Sequence, residues 1–107
     1  MRKHLVALLL TLLAPGLAVA QGFPSKTVRL ISGVTPGSVT DTMARILAEK
    51  LPTRLGQPVI VENRVGAGGL IGGAYVAKAA PDGHTISIAA SAFTVTTLLN
   101  PGLDPKD

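Results

Sequence analysis

The chain has 107 residues, of which 47% are hydrophobic and 15% charged, with a formal net charge of +4. That suffices for one compact domain and not for two, and the apolar content is too high for a disordered chain. Because cysteine is absent, disulfides, thiolate metal sites, iron–sulfur clusters and thiol nucleophiles are excluded together.

The amino terminus reads as a secretory signal. Arg2 and Lys3 precede the apolar run Leu5-Val6-Ala7-Leu8-Leu9-Leu10-Thr11-Leu12-Leu13-Ala14, and Pro15-Gly16 and Ala18-Val19-Ala20 follow, which predicts cleavage after Ala20 and export. An apolar run of about 10 residues is too short for a bilayer that takes about 20. Residues 1–20 are therefore expected to be signal peptide and 21–107 the folded part. Losing Arg2 and Lys3 halves the net charge, and the remaining cations stand singly beside few aromatics, Phe23, Tyr75 and Phe93. With neither a phosphate-tracking stripe nor a base-stacking platform, nucleic acid is not an expected partner.

Along the mature chain, Thr27-Val28-Arg29-Leu30-Ile31-Ser32 has the pattern of a strand entering a covered sheet, ending at Gly33. Val34-Thr35-Pro36-Gly37-Ser38-Val39-Thr40-Asp41 is a loop leading into a helix, with Asp41 in the first turn. Met43, Ile46, Leu47, Leu51 and Leu55 recur as a buried helical stripe, leaving Arg45, Glu49, Lys50 and Arg54 to solvent. Pro52 ends or kinks this helix and Gly56 stops it, before Pro58-Val59-Ile60-Val61-Glu62 forms a second, buried strand. Asn63-Arg64-Val65-Gly66-Ala67-Gly68-Gly69 is then a glycine-rich loop before a helix over 70–80. Gly72 and Gly73 each cost such a helix about 1 kcal/mol relative to alanine, so a close approach to the sheet is expected there. After the turn Pro81-Asp82-Gly83, a third strand covers 84–90, and a short helix runs from Ser91 to Leu99 until Asn100-Pro101-Gly102 ends it. This alternation predicts an α/β fold of three parallel strands with right-handed helical crossovers, which puts all three strand-to-helix loops at one edge.

At that edge, helix starts offer unpaired N–H groups and the positive ends of dipoles, an environment suited to a carboxylate. Gly37, Gly66, Gly68 and Gly69 admit a ligand oxygen to the main chain, while Thr35, Ser38, Thr40, Ser91 and Thr94 add uncharged donors. Capping alone explains any single loop; three on one edge favour binding. Asp41 either accepts from a ligand amine or serves the helix start. Arg64 either attracts an acidic ligand or pairs with Glu62 or Asp82. His84, after a tight turn at the far end of its strand, is expected at the surface rather than as a base or metal ligand. Gly66-x-Gly68-x-x-x-Gly72 looks like a dinucleotide fingerprint, but it does not follow the first strand, and the next strand closes in Ala89-Ala90-Ser91 without the required acid. No phosphate-binding loop or nucleophile elbow is present. The chain is thus not expected to be an enzyme, with no catalytic residue, metal site or cofactor.

The order of motifs resembles the extracytoplasmic solute receptors of tripartite tricarboxylate transporters, the TctC or Bug-type family. The resemblance rests on Phe23-Pro24-Ser25-Lys26, Pro36-Gly37 with Thr40-Asp41 and Ala44-Arg45, and Leu55-Gly56-Gln57-Pro58-Val59-Ile60-Val61-Glu62-Asn63-Arg64. It continues through Gly66-Ala67-Gly68-Gly69, Val76-Ala77-Lys78-Ala79-Ala80-Pro81-Asp82-Gly83 and Asn100-Pro101. Ser38 stands where the family has a second glycine, and Val65 where proline is usual. The resemblance implies a two-lobed periplasmic binding protein of type II-like fold that closes on a small carboxylated solute, a di- or tricarboxylate or an amino acid, and presents it to a membrane permease. It implies a cleft lined by Thr35, Gly37, Ser38, Thr40 and Asp41, by Gly66, Ala67, Gly68 and Gly69, and by Ser91, Ala92 and Thr94. It also implies that residues 21–107 are part of an N-terminal lobe whose second lobe is missing, with weak or absent binding alone. The alternative expectation is a non-binding remnant that self-associates through its open sheet edge.

Overall fold

The computed structural model describes residues 22–100 and Gly102; the expected signal peptide lies outside the described residues. Strand β1 (Val28–Ser32) is followed by helix α1 (Val39–Lys50), the short helix α2 (Pro52–Leu55) and strand β2 (Val59–Asn63). A 3-10 turn (Ala67–Gly69), helix α3 (Leu70–Ala77), strand β3 (Thr85–Ile88) and helix α4 (Ser91–Leu99) complete the order. The strands form one parallel sheet in the order β2-β1-β3, with Leu30 opposite both Val61 and Ile86.

Side chains alternate across β1, so its two faces have different covers. Val28 and Leu30 join Val59 and Ala44 in the core, with Ala48, Leu51, Leu55, Val61 and Ile88 packed around them. Helices α1 and α2 therefore cover this face. On the other face Arg29 lies 5.3 Å from the ring of Tyr75, on α3. This is an open α/β sheet with helices on both sides, as the sequence predicts.

Four expectations need correction. The buried stripe of α1 runs through Asp41, Ala44 and Ala48 and continues to Leu51 and Leu55, while Met43, Ile46 and Leu47 are 55%, 53% and 41% exposed. Small residues hold the sheet-facing line, which lets the helix lie close; hydropathy alone selects the neighbouring line. Strand β2 is buried at Val59 but exposed at Ile60, because it is an edge strand and α3 packs over β1 and β3. Helix α3 stops at Ala77 rather than residue 80, where its last turn tightens through Ala79 N–H to Val76 O and the chain turns back at Asp82 N–H to Ala80 O. His84, finally, is buried, with 7% exposure. Its ring packs 5.0 Å from Phe23, its Nε2 accepts the Ser25 N–H (3.0 Å), and its Nδ1 lies 3.0 Å from Asp82 O. With Nε2 accepting, the ring hydrogen facing Asp82 is carried on Nδ1.

The glycines of α3 have the predicted packing reason at Gly72, where an added Cβ would lie 3.2 Å from Gly33 Cα and 3.3 Å from Arg64 O. Both neighbours are backbone and cannot rotate away. Gly72→Val is expected to destabilise the fold by roughly 1–3 kcal/mol, read from urea unfolding. His84→Phe keeps the ring packing but strands the Ser25 N–H, and should cost about 1–3 kcal/mol with faster Ser25 amide exchange.

Candidate functional site

All three strands end at the same edge, and the first loop there is built around a turn. Ser38 N–H donates to Thr35 O (3.2 Å), with Pro36 and Gly37 at the central positions and Gly37 at φ 85°. Proline followed by a positive-φ glycine is the type II combination. Ser38 has φ −69° and ψ 165°, and its Oγ accepts the Asp41 N–H (3.3 Å) as the N-cap of α1. An extended backbone at this position needs no glycine, so the family difference at Ser38 gives α1 a capping hydroxyl.

Asp41 is fully buried beneath this turn. Its Oδ2 accepts from Gly37 N–H (2.9 Å) and Arg45 Nε (2.9 Å), and its Oδ1 accepts from Asn63 Nδ2 (2.6 Å) and Arg45 Nη2 (3.4 Å). The Asn63 amide, the Gly37 N–H and the Arg45 guanidinium hold its carboxyl at about 2, below the ordinary 3.8. Both oxygens are thus engaged by protein donors.

The second loop carries four successive residues at positive φ: Gly66 at 140°, Ala67 at 47°, Gly68 at 65° and Gly69 at 95°. Ala67 pays the Cβ penalty of the left-handed region, about 1–2 kcal/mol. Glycine at Gly33 has another reason, since a Cβ there would lie 3.1 Å from Gly69 Cα. Gly69 is the N-cap of α3 and Ala90 the N-cap of α4, and neither supplies a side-chain hydrogen bond. In α4 the Phe93 N–H, counterpart of the Asp41 N–H in α1, donates to Ala90 O (3.0 Å), and in α3 the Leu70 N–H donates to Ala67 O, so neither start has the side-chain acceptor that Ser38 gives α1.

These segments enclose a cleft of about 300 Å³, at the small end of the range for ligand pockets. It brings together Thr35, Ser38, Gly66, Gly68, Gly69 and Ala92 from the sequence reading. Gly37, Thr40, Asp41, Ala67, Ser91 and Thr94 are not among its lining residues. Sequence reasoning missed Ser87, Ala89 and Ala90, which with Phe93 close the β3 side. Their signal was position alone, at the carboxyl end of β3 and the start of α4.

Among the described residues, no ionisable side chain lines the cleft. Arg64 is instead stacked over Tyr75 at 3.6 Å and pairs with Glu62 at 3.5 Å, beside the Arg29 guanidinium that grips Glu62 through Nε (2.8 Å) and Nη2 (2.7 Å). The Arg29 hydrogen bonds, more than Arg64, hold the Glu62 carboxyl below its usual range. Asp82 pairs with Lys26 (3.0 Å). Of the two alternatives for Arg64, the structure shows pairing with Glu62. Among the described residues, no group of three or more histidines and acids could hold a metal ion. The cleft offers neutral donors: backbone amides of two helix starts and the hydroxyls of Thr35, Ser38 and Ser87.

The comparisons with known proteins point the same way. A family model described as tripartite tricarboxylate transporter family receptor matches residues 43–104. Protein BugT of Bordetella pertussis (strain Tohama I) is 47% identical over 72 residues, covering 67% of this chain and 22% of BugT. A solved periplasmic transporter is 46% identical with a TM-score of 0.65, covering 79% of this chain and 27% of that one. MatC from Rhodopseudomonas palustris, solved with bound malate, is 45% identical with a TM-score of 0.58, covering 61% of this chain and 22% of its own. The chain spans less than a third of the length of the curated relatives it matches. With the family pattern covering more than half of its residues and its sheet matching solved periplasmic members, the chain belongs to the tripartite tricarboxylate transporter receptor family.

Proposed function

We propose that this chain supplies one wall of the solute site in a periplasmic receptor of a tripartite tricarboxylate-type uptake system. The receptor takes up a small di- or tricarboxylate or an amino acid and presents it to a membrane permease. One observation carries the reading: a neutral cleft at the carboxyl edge of a parallel sheet, where α3 and α4 begin without side-chain caps. Malate bound to the related MatC supports the ligand class. Thr35, Ser38, Gly66, Gly68, Gly69 and Ala92 are the proposed contacts, with Ser87 and Ala90 added. Gly37, Asp41 and Ala67 shape the loops behind them. The amino-terminal signal proposed above, cleaved after Ala20, takes the chain to the periplasm.

The residues present surround a solute from one side, so affinity for malate, succinate or citrate is expected in the millimolar range, about −4 kcal/mol. Amide NMR titration checks it: shifts should cluster at Gly66, Gly68, Gly69 and Ala92. Ala90→Asp separates binding from folding. Ala90 has the extended backbone of an N-cap, φ −81° and ψ 161°, so the new carboxylate should cap α4 and stabilise the fold by about 1 kcal/mol. The same carboxylate should repel the ligand and abolish the shifts. Shifts that scatter away from the cleft, or survive in A90D, would refute the reading.

A second reading, self-association, is favoured by a different observation. Among the described residues, strands β2 and β3 each have one partner, and Leu98 and Leu99 of α4 are exposed. Sedimentation over a concentration series should then show dimers; monomers throughout would exclude it.

A further inference from the structure

Asn63 is the last residue of β2, and its side chain reaches out of the sheet. Its Nδ2 donates both to Asp41 Oδ1 (2.6 Å) and to Val34 O (3.1 Å), while its Oδ1 accepts from Arg45 Nη2 (3.1 Å). Both amide hydrogens and the carbonyl oxygen are thus engaged, by partners on the first loop and on α1. Only a primary amide of this length makes that set: leucine has no polar atoms, aspartate has no donors, and glutamine is one methylene too long. From the other side, Asp41 accepts the Gly37 N–H, and Ser38 Oγ accepts the Asp41 N–H. The 35–38 turn is held at Val34, Gly37 and Ser38, and three residues of this segment, Val34, Thr35 and Ser38, line the cleft. Directly after Asn63, Arg64 N–H donates to Ser32 O (2.8 Å), and the second cleft loop departs from there.

We propose that Asn63 and Asp41 are positioning residues whose amide–carboxylate contact fixes the first cleft loop against the root of the second before any solute arrives. Neither side chain lines the cleft, so they act through the backbone they hold, lowering the ordering cost of binding. The purpose of the lock rests on the receptor reading; the lock itself is a property of the free chain. The charged group facing Asp41 is Arg45, from its own helix; β2 presents the neutral Asn63 amide, and the first loop presents the Gly37 N–H and the Ser38 Oγ.

The test uses the full chain, with malate as the probe, and compares Asn63→Ala with Asn63→Asp. The readout is the protection factor of the Gly37 amide, alongside malate affinity. In the wild type, protection should stay level from about pH 7 to about pH 4, because the Asp41 carboxyl remains ionised over that window. In N63A it should fall about tenfold, as expected for loss of a local hydrogen-bonded lock, at every pH. In N63D it should fall at least as far at neutral pH, where two carboxylates face each other. It should then recover on acidification as the pair takes up one shared proton and regains a donor. Malate affinity should follow Gly37 protection in all three. Unchanged Gly37 protection in N63A, no recovery in N63D, or malate affinity indifferent to the loss would each overturn the proposal. If the wild type gives no malate response at all, the receptor reading fails, and the Gly37 amide alone decides whether the lock exists. If N63D does not fold at neutral pH, N63A still decides.

Discussion

Strand β1 is hydrogen-bonded on both sides to parallel partners, and the site follows from that constraint. The chain leaves β1 through α1 and α2 to reach β2 on one side, then crosses back through α3 to place β3 on the other. Successive connections therefore lie on opposite faces of the sheet. The loops that follow β1 and β3 part at the carboxyl edge, leaving a crevice at the point where strand order reverses. The cleft lies there, between Val34 and Thr35 on one side and Ser87 to Phe93 on the other. Backbone packs closely beside it, because Gly33 meets Gly69 and Gly72 meets Gly33 at distances that crowd a Cβ on Gly33 or Gly72.

Within this crevice the absence of charge has a physical consequence. Cations near the sheet are engaged elsewhere: Arg29 and Arg64 by Glu62 and Tyr75, Arg45 by Asp41, and Lys26 by Asp82. A carboxylate entering the cleft meets dipoles rather than a counter-ion. Dipoles hold an anion weakly in water and strongly once water is displaced, because the interaction scales inversely with the local dielectric constant. Binding by such a wall depends on how fully the ligand is enclosed.

Much of the fold was legible because alternating strand and helix patterns with short connections leave few topologies. The edge carrying the loops was legible for the same reason. The misread stripe of α1 has a simple cause, since hydropathy reports where apolar side chains are and not which line of a helix is closest to the sheet. Ala44 and Ala48 contribute little to a hydropathy count, yet they sit on the packed line of α1 while Met43 and Ile46 face out. His84 was misplaced because burial of a polar ring requires partners distant in sequence, here the Ser25 N–H, 59 positions away. Asp41 fell in the predicted first turn, but its place at the head of the packed line depends on Asn63, 22 residues on. Pairwise geometry of that kind leaves no periodic trace.

The helix starts give the last step. A buried carboxylate is tolerated only when donors replace the water it loses. Around Asp41 those donors come from α1, β2 and the first loop, so α1 has its start capped and its acid satisfied. The starts of α3 and α4 lie on the same edge and have neither cap nor acid; their N-cap positions are Gly69 and Ala90. A capping side chain in place of alanine typically contributes about 1 kcal/mol, and in place of glycine only a few tenths, so the stability forgone lies mainly at Ala90, on the border of the cleft. Ala67, in a backbone region that favours glycine, adds strain beside the same opening. An uncapped helix start and local backbone strain thus meet around one opening, the neutral cleft at the carboxyl edge of the sheet.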